Sequence, residues 1–572
     1  MSFVMSLEST ARNGEIRYSV QSVQFFYGKD FATLPNLEYL SDLNYTIDTI
    51  PFLSELFRSS LDVYELSIRD VRLICEIPLL YLHSLDYEGV IVFPDPNQID
   101  PFTGKDLRKE NDLSLRIAIW VSQVESVDYN FSKLSGTNRI GFYKEQIEGF
   151  LLKEKVNDNP LRKNLYRFAN RLNKYPYQST KLALLPSESN ESGKVNTVIS
   201  IDTKKRFSGT AGFSNSGTDT LGIWNHHGAM EMYPFCLYDD SFRFNWGGSN
   251  TFNRQSYSII YKKPVIFPDI LEVGFQLSHS EYDASTFALT KINFSGKSQV
   301  GSFFINYQPL DWENSVTKTG VFFQISKENV EASNNLTPLN ADASFMTPEI
   351  GIRNTFTNPK YIAQTTLSVR GNTQKISSGN QIALGGIETE DQSLRIRIVN
   401  NLLLNIGEWL VQLDESKLSK TFKSHKLLFS AKADWCFRNV RNLPKDQFIL
   451  GGTGSVRGYP ESPTAGDKGY LLSAEYKIPL GRLLDFGSVE SGSVDINPFV
   501  DWGEAFVHSP FAWESDQQLL GAGLGLDIGI AKNANLELDF AKPLKTIITN
   551  GNTLSGTGNG DARIHAALKW TF

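Results

Sequence analysis

A two-residue rhythm begins at Arg206 and is kept to the last residue, in strand-like segments that recur roughly every twenty residues between runs of Asn, Asp, Gly and Ser. In LRIRI, residues 394–398, Leu394, Ile396 and Ile398 share one side while Arg395 and Arg397 take the other, because successive side chains of a strand point to opposite faces. GAGLGLDIGI (521–530) and NLELDFAKPL (535–544) behave similarly. Such segments suit a transmembrane barrel of tilted strands about 9–11 residues long, and counting them gives about sixteen, enough to enclose an aqueous lumen. A charge facing lipid at mid-bilayer costs about 2–4 kcal/mol, so Arg395 and Arg397 are expected to point into a wet lumen. No helix is expected beyond Arg206.

Composition narrows the remaining choices. The chain has 572 residues, more than a single hydrophobic core usually serves, so at least two structural units are expected. Aromatics make up 12% and glycines number 43, while no stretch approaches the roughly 20 unbroken apolar residues of a spanning helix. A formal net charge of -7 gives no footprint for nucleic acid. Cys75, Cys236 and Cys436 lie far apart, which supports neither a metal site nor a disulfide framework, although one bridge stays open. MSFVMSLESTARNG lacks a basic start and an apolar run, so no secretory signal is expected in it; removal of a leader, or a start placed too late, accounts for this better than a cytosolic location.

The front of the chain reads as two small αβ modules, 15–124 and 125–204, behind a short tail, 1–14. In the first, EIRYSVQSVQFFYG is a strand, SIRDVRLICEIPLLYLHSL an amphipathic helix interrupted near Pro78, and GVIVFPDP and LSLRIAIWVSQV two further strands. In the second, VESVDYNF is a strand and YKEQIEGFLLKEKV a helix. NPLRKNLYRFANRL follows as a second helix, with Asn159 as N-cap, Pro160 in the first turn and Leu161, Leu165, Phe168 and Leu172 on one face. STKLALLP and KVNTVISIDT close it as a strand pair. Two tandem β-α-α-β-β units of this kind resemble POTRA domains, the periplasmic modules that precede outer-membrane barrels.

Two local features sharpen the picture. In DARIHAALKWTF, Ile564, Ala566, Leu568, Trp570 and Phe572 fall on one face and Arg563, His565, Lys569 and Thr571 on the other. A terminal aromatic on such a strand resembles the signal that bacterial outer-membrane barrels present to their assembly machinery; a soluble β-sandwich could also end this way. Upstream, GGTGSVRGYP (451–460) places Arg457 in the most glycine-dense loop of the chain. Gly451, Gly452, Gly454 and Gly458 would let the backbone turn tightly and lie close to a wall, and the planar charge of Arg457 can grip a carboxylate through two parallel hydrogen bonds.

That loop carries the family resemblance. Val456, Arg457, Gly458 and Tyr459 match the [VI]-R-G-[FY] motif at the tip of the loop that folds into the lumen of POTRA-barrel transporters, and Phe499, Asp501 and Gly503 match their F-x-D-x-G motif. From about residue 15 to its end the chain resembles two-partner secretion transporters of the haemolysin-activator type. The resemblance implies α+β periplasmic modules followed by an all-β barrel (205–572) in the bacterial outer membrane, with a lumen loop around 437–469. It further implies an Arg457–Asp501 latch and a secreted, unfolded exoprotein as partner. Outer-membrane lipids and the barrel assembly machinery are the other partners, and no cofactor or enzymatic activity is implied.

Other readings are weaker. A membrane insertase shares the motif pair but typically carries more POTRA units, and for a passive porin the first 200 residues would be unnecessary. GGTGSVRG lacks the G-K-[ST] ending of a phosphate loop. Adjacent His226 and His227 would point to opposite faces of a strand, unsuited to sharing a metal. Neither G-x-S-x-G nor H-E-x-x-H is present. With about fourteen residues before the first strand, the plug helix common in this family is expected to be absent or lost with the leader.

Overall fold

The computed structural model describes residues 17–28, 34–37, 62–101, 103–131, 137–154, 161, 163–173, 175, 178–187, 193–203, 205–218, 220–237, 239–265, 270–284, 294–312, 317–334, 340–386, 388–390, 392–410, 422, 424–437, 440–482, 492–511, 514–549, 552–558 and 560–572. The tail 1–14 and the expected helix start at Asn159 and Pro160 lie outside these residues. The chain divides into two compact units, Met1–Lys204 and Lys205–Phe572.

The first unit holds two three-stranded sheets. Strand β1 (Arg17–Val20) and strand β2 (Ser22–Tyr27) lie end to end where the sequence suggests one strand. They take different partners: β1 runs antiparallel to β3 (Tyr64–Ser67), whereas β2 runs parallel to β5 (Ser114–Val121), which also pairs with β4 (Val90–Pro94). Helix α1 (Ile68–Ser84) begins with a capping box, since Ser67 Oγ accepts the Asp70 N–H while Asp70 accepts the Ser67 N–H. Contrary to the expected interruption, α1 runs unbroken through Pro78. Pro78 is buried on the apolar face with Val71, Ile74, Cys75 and Leu82, and burying that face offsets the one backbone hydrogen bond a proline forfeits.

The second sheet repeats the arrangement with β6 (Gln123–Asn130) parallel to β8 (Lys194–Thr203) and β7 (Gln178–Pro186) antiparallel to it. Helices α2 (Thr137–Glu154) and α3 (Lys163–Leu172) connect β6 to β7, and Leu165, Phe168 and Leu172 of α3 are buried as one stripe. Phe168 stacks on Phe150 of α2 at 4.2 Å, a face-on contact that ties the two helices together.

The second unit is a closed barrel of sixteen strands, every neighbouring pair antiparallel, from Phe207–Ser214 to Arg563–Thr571, which pair with each other to complete the ring. Closure leaves no free sheet edge, the condition for backbone to cross lipid, and no described helix is long and apolar enough to cross a membrane. Side chains facing outward are apolar: Leu394, Ile398, Val500, Leu524, Ile564, Leu568, Trp570 and Phe572 are all exposed. The strands Phe294–Trp312, Thr317–Asn334 and Ala341–Asn358 have 19, 18 and 18 residues, about 60 Å of extended chain, far beyond the ~30 Å of a bilayer core. Two short helices, Ser378–Ala383 and Ile406–Leu410, depart from the helix-free expectation; one turn or so is too short to show a helical apolar period.

Candidate functional site in the barrel lumen

Between the strands Lys426–Cys436 and Lys468–Arg482 the chain leaves the barrel wall as one long loop and returns. Its legs, Phe448–Leu450 and Thr464–Gly466, pair with each other antiparallel, so the loop is a hairpin with 451–463 at its tip. Phe448, Leu450, Val456 and Tyr459 are buried together with Ala505, Leu519 and Ile547 of the wall and its outer loops.

Asp501 and Arg457 meet at the tip. Arg457 Nε donates to Asp501 Oδ2 at 2.7 Å and Nη2 to Oδ1 at 3.0 Å, a two-pronged contact, while Nη1 donates to Glu475 Oε2 at 3.0 Å and lies 3.5 Å from Asp539 Oδ2. Ser473 Oγ donates to Asp501 at 2.6 Å and the Arg457 backbone N–H at 3.1 Å, so every Asp501 oxygen is occupied. The guanidinium carbon sits 3.4 Å from the Phe499 ring centroid, a cation–π contact on the face left free by the carboxylates.

The local sequence explains the assembly. Phe499, Asp501 and Gly503 are spaced by two on the strand Ser493–Phe506 and therefore share its inner face. Phe499 floors the guanidinium and Asp501 bonds it, while Gly503 leaves room for Leu450, whose Cδ2 would lie 2.9 Å from any Cβ there. On the loop, Gly458 has φ +96° and a Cβ would fall 2.8 Å from the Lys542 backbone carbon; both the dihedral and the close approach require glycine. Gly451 and Gly452 have φ +97° and +95°. Gly454 is a correction to the shared role expected of the four glycines: it is exposed, without positive φ and with no atom within 4 Å of a Cβ, because it sits at the outermost turn of the tip.

Tyr459 is fully buried, and its hydroxyl donates to the Lys545 carbonyl at 2.6 Å and lies 3.1 Å from that of Leu520. The Gly458 N–H donates to His565 Nε2 at 3.3 Å, which ties the tip to the last barrel strand. The same strand carries Trp570 outward, and just past its end the exposed Phe572 ring covers Gly209 of the first strand at the closing seam. Sequence reasoning missed Glu475, Ser473, Asp539 and His565 as contacts of the loop. Alternation alone places each on an inward face, but nothing local shows which inward residue the tip will reach. Arg395 and Arg397 also point inward, yet Arg395 is 2% exposed and grips Asp434 with Nε at 2.9 Å and Nη2 at 2.8 Å. Its surroundings are an ion cluster rather than the open water expected of it. Among the described residues no group of three metal-binding side chains occurs.

A closed sixteen-strand barrel whose interior holds a hairpin clamped at its tip, with a separate αβ unit ahead of it, is the architecture of an outer-membrane translocation pore. Residues 193–528 match the family model "Haemolysin secretion/activation protein ShlB/FhaC/HecB", and the chain belongs to that family of two-partner secretion transporters. It is an outer-membrane secretion pore whose partner is a secreted exoprotein. Among solved structures, CdiB from Escherichia coli aligns with a TM-score of 0.62 at 14% identity, covering 100% of this chain and 93% of that one. CdiB from Acinetobacter baumannii aligns at 0.58 and 13%, covering 100% and 92%. BamA from Haemophilus ducreyi lacking POTRA domains 1–3 aligns at 0.54 and 12%, covering 97% and 100%. At these identities the likeness is one of fold. No curated protein sequence matches.

Proposed function

We propose that the Arg457–Asp501 clamp is the latch that holds the hairpin in the lumen, and that export proceeds when it is released. The observation that carries this reading is the convergence of Asp501, Glu475 and Asp539 from three different strands on one guanidinium. A guanidinium held by three wall carboxylates fixes the tip in one position and releases it as a unit. Val456 and Tyr459 seat the tip, Gly451, Gly452 and Gly458 shape it, and Phe499 and Gly503 form the surface it rests on.

The unit Met1–Lys204 acts in this proposal as two POTRA domains, 15–124 and 125–204, lying in the periplasm. Edge strands β4 and β7, each paired on one side only within its three-stranded sheet, offer backbone to an unfolded exoprotein by strand addition. Outer-membrane lipids bathe the apolar belt, and the barrel assembly machinery reads Trp570 and Phe572. No catalysis is assigned to the chain; movement is driven by folding of the exoprotein outside the cell. Deleting residues 15–204 should leave a barrel that conducts ions in a planar bilayer but exports nothing, and normal export by that truncation would defeat the capture role. Arg457→Ala should fold but gate differently, and unchanged gating with normal export would defeat the latch.

A further inference from the structure

The hairpin's first leg is held a second time, away from the tip. Before the hairpin's paired legs begin, residues 443–446 pack against a different set of strands. Leu443 is buried with Ala343 and Phe345, and Lys445 lies 4.1 Å over the Phe345 ring and 3.6 Å from Glu328. Asp446 of the short 3-10 turn Pro444–Asp446 is buried and accepts from Arg370 Nη2 at 3.0 Å, with Arg395 Nη1 at 3.8 Å and Lys445 Nζ at 3.1 Å.

Charge on the wall makes this a docking point for an anion. The strands Tyr361–Gly371, Leu394–Asn405 and Lys426–Cys436 bring Arg370, Arg395 and Arg397 together near Asp434, which is already held by Arg395 and by Arg397 at 2.9 Å. Asp434 engages Arg395 and Arg397, and Asp446, carried in by the loop, faces Arg370 and Arg395. The tip, by contrast, is clamped by the strands Lys468–Arg482, Ser493–Phe506, Ala534–Pro543 and Arg563–Thr571. In the ring order a single strand, Lys426–Cys436, stands between the Asp446 partners on Tyr361–Gly371 and Leu394–Asn405 and the first of the tip strands, Lys468–Arg482, so leg and tip are fixed to neighbouring arcs of the wall.

We infer that Asp446 is a second latch: the hairpin is held at two separate ion clusters on the lumen wall, and clearing the pore requires release of the Asp446 carboxylate from Arg370 and Arg395 as well as release of Arg457. The inference rests on the tip reading, but its consequences are separable. With the tip as sole latch, the leg stays docked during opening and Asp446 has no influence on gating. With two latches in series, the open-to-closed ratio is the product of two release equilibria, and weakening either raises it.

Four full-length proteins distinguish these cases in planar bilayers: wild type, Arg457→Ala, Asp446→Asn and the double variant, each verified as a closed barrel by its faster gel migration before heating. Asp446→Asn should raise the open-to-closed ratio by a factor of about 5 to 30, the effect of losing one or two kcal/mol of anchoring, and the double variant by about the product of the two single effects. A wild-type ratio in Asp446→Asn, together with a double variant that behaves as Arg457→Ala, overturns the second latch and leaves the tip latch standing. The reverse pattern, with Asp446→Asn active and Arg457→Ala silent, removes the tip latch and keeps the leg. If Asp446→Asn does not form the barrel, Arg370→Gln takes its place under the same criterion, because it removes the closest wall partner and leaves the Arg395–Asp434 pair intact.

Discussion

Arg457→Ala tests the clamp most directly, and its size can be worked from the contacts. The Asp501 side chain is 1% exposed, and in the variant it keeps only the Ser473 hydroxyl and the Arg457 backbone N–H. Removing one member of a fully buried ion pair costs about 3–5 kcal/mol. Glu475 and Asp539 are 25% and 23% exposed, so water replaces the guanidinium there and each adds less than about 1 kcal/mol. Lumen water can also reach a vacated Asp501, which brings the total to about 3 kcal/mol, or a shift of roughly 150-fold in the balance between seated and displaced loop. The barrel itself should not unfold, because Arg457 contributes nothing to the ladder of sixteen strands. Single-channel recording reads the open-to-closed ratio, and export of the partner exoprotein reads function. A ratio within about threefold of wild type, less than 1 kcal/mol of change, with export intact would refute the reasoning.

Three other perturbations address different contacts. Tyr459→Phe removes a buried hydroxyl that bridges Leu520 and Lys545 and should weaken tip seating by about 1–3 kcal/mol, seen as faster proteolysis of the loop in the folded barrel; an unchanged cleavage rate would contradict it. Gly521→Ala places a methyl group against the Arg457 carbonyl and should dislodge the tip without altering any charge, so its conductance should move in the same direction as that of Arg457→Ala. In the first unit, hydrogen bonds from the Arg108 side chain hold the Asp106 carboxyl below the usual carboxylate range. A depressed folded value adds stability that is present above about pH 4 and lost as pH falls through the depressed value. Asp106→Asn should therefore lower the unit's urea midpoint at pH 7 and narrow its gap from wild type at pH 2–3; parallel curves for the two proteins would exclude the contribution.

Much of the fold and part of the clamp were legible in the residues, for a local reason. A strand's face is set by its period of two, so LRIRI and DARIHAALKWTF declare which side meets lipid without reference to any partner. The same period puts Phe499, Asp501 and Gly503 on one face, and glycine density marks where a backbone must bend. Helix α1 shows the limit of local reading, since Pro78 looks like a break until the packing of its buried face is known.

What only the tertiary structure decided is which inward residues meet. Arg457 is 44 residues from Asp501 and 107 separate Gly458 from His565, and Asp446 reaches Arg370 across 76. Ring closure sets these encounters: strand order and register bring residues of distant sequence to one depth of the lumen, where their side chains hold the loop. Sequence alone determined the two faces of each strand and the chemistry available on them. The pairing of those chemistries depended on closing the cylinder, because an ion pair is a property of distance and exclusion of water, and neither exists until the wall is complete.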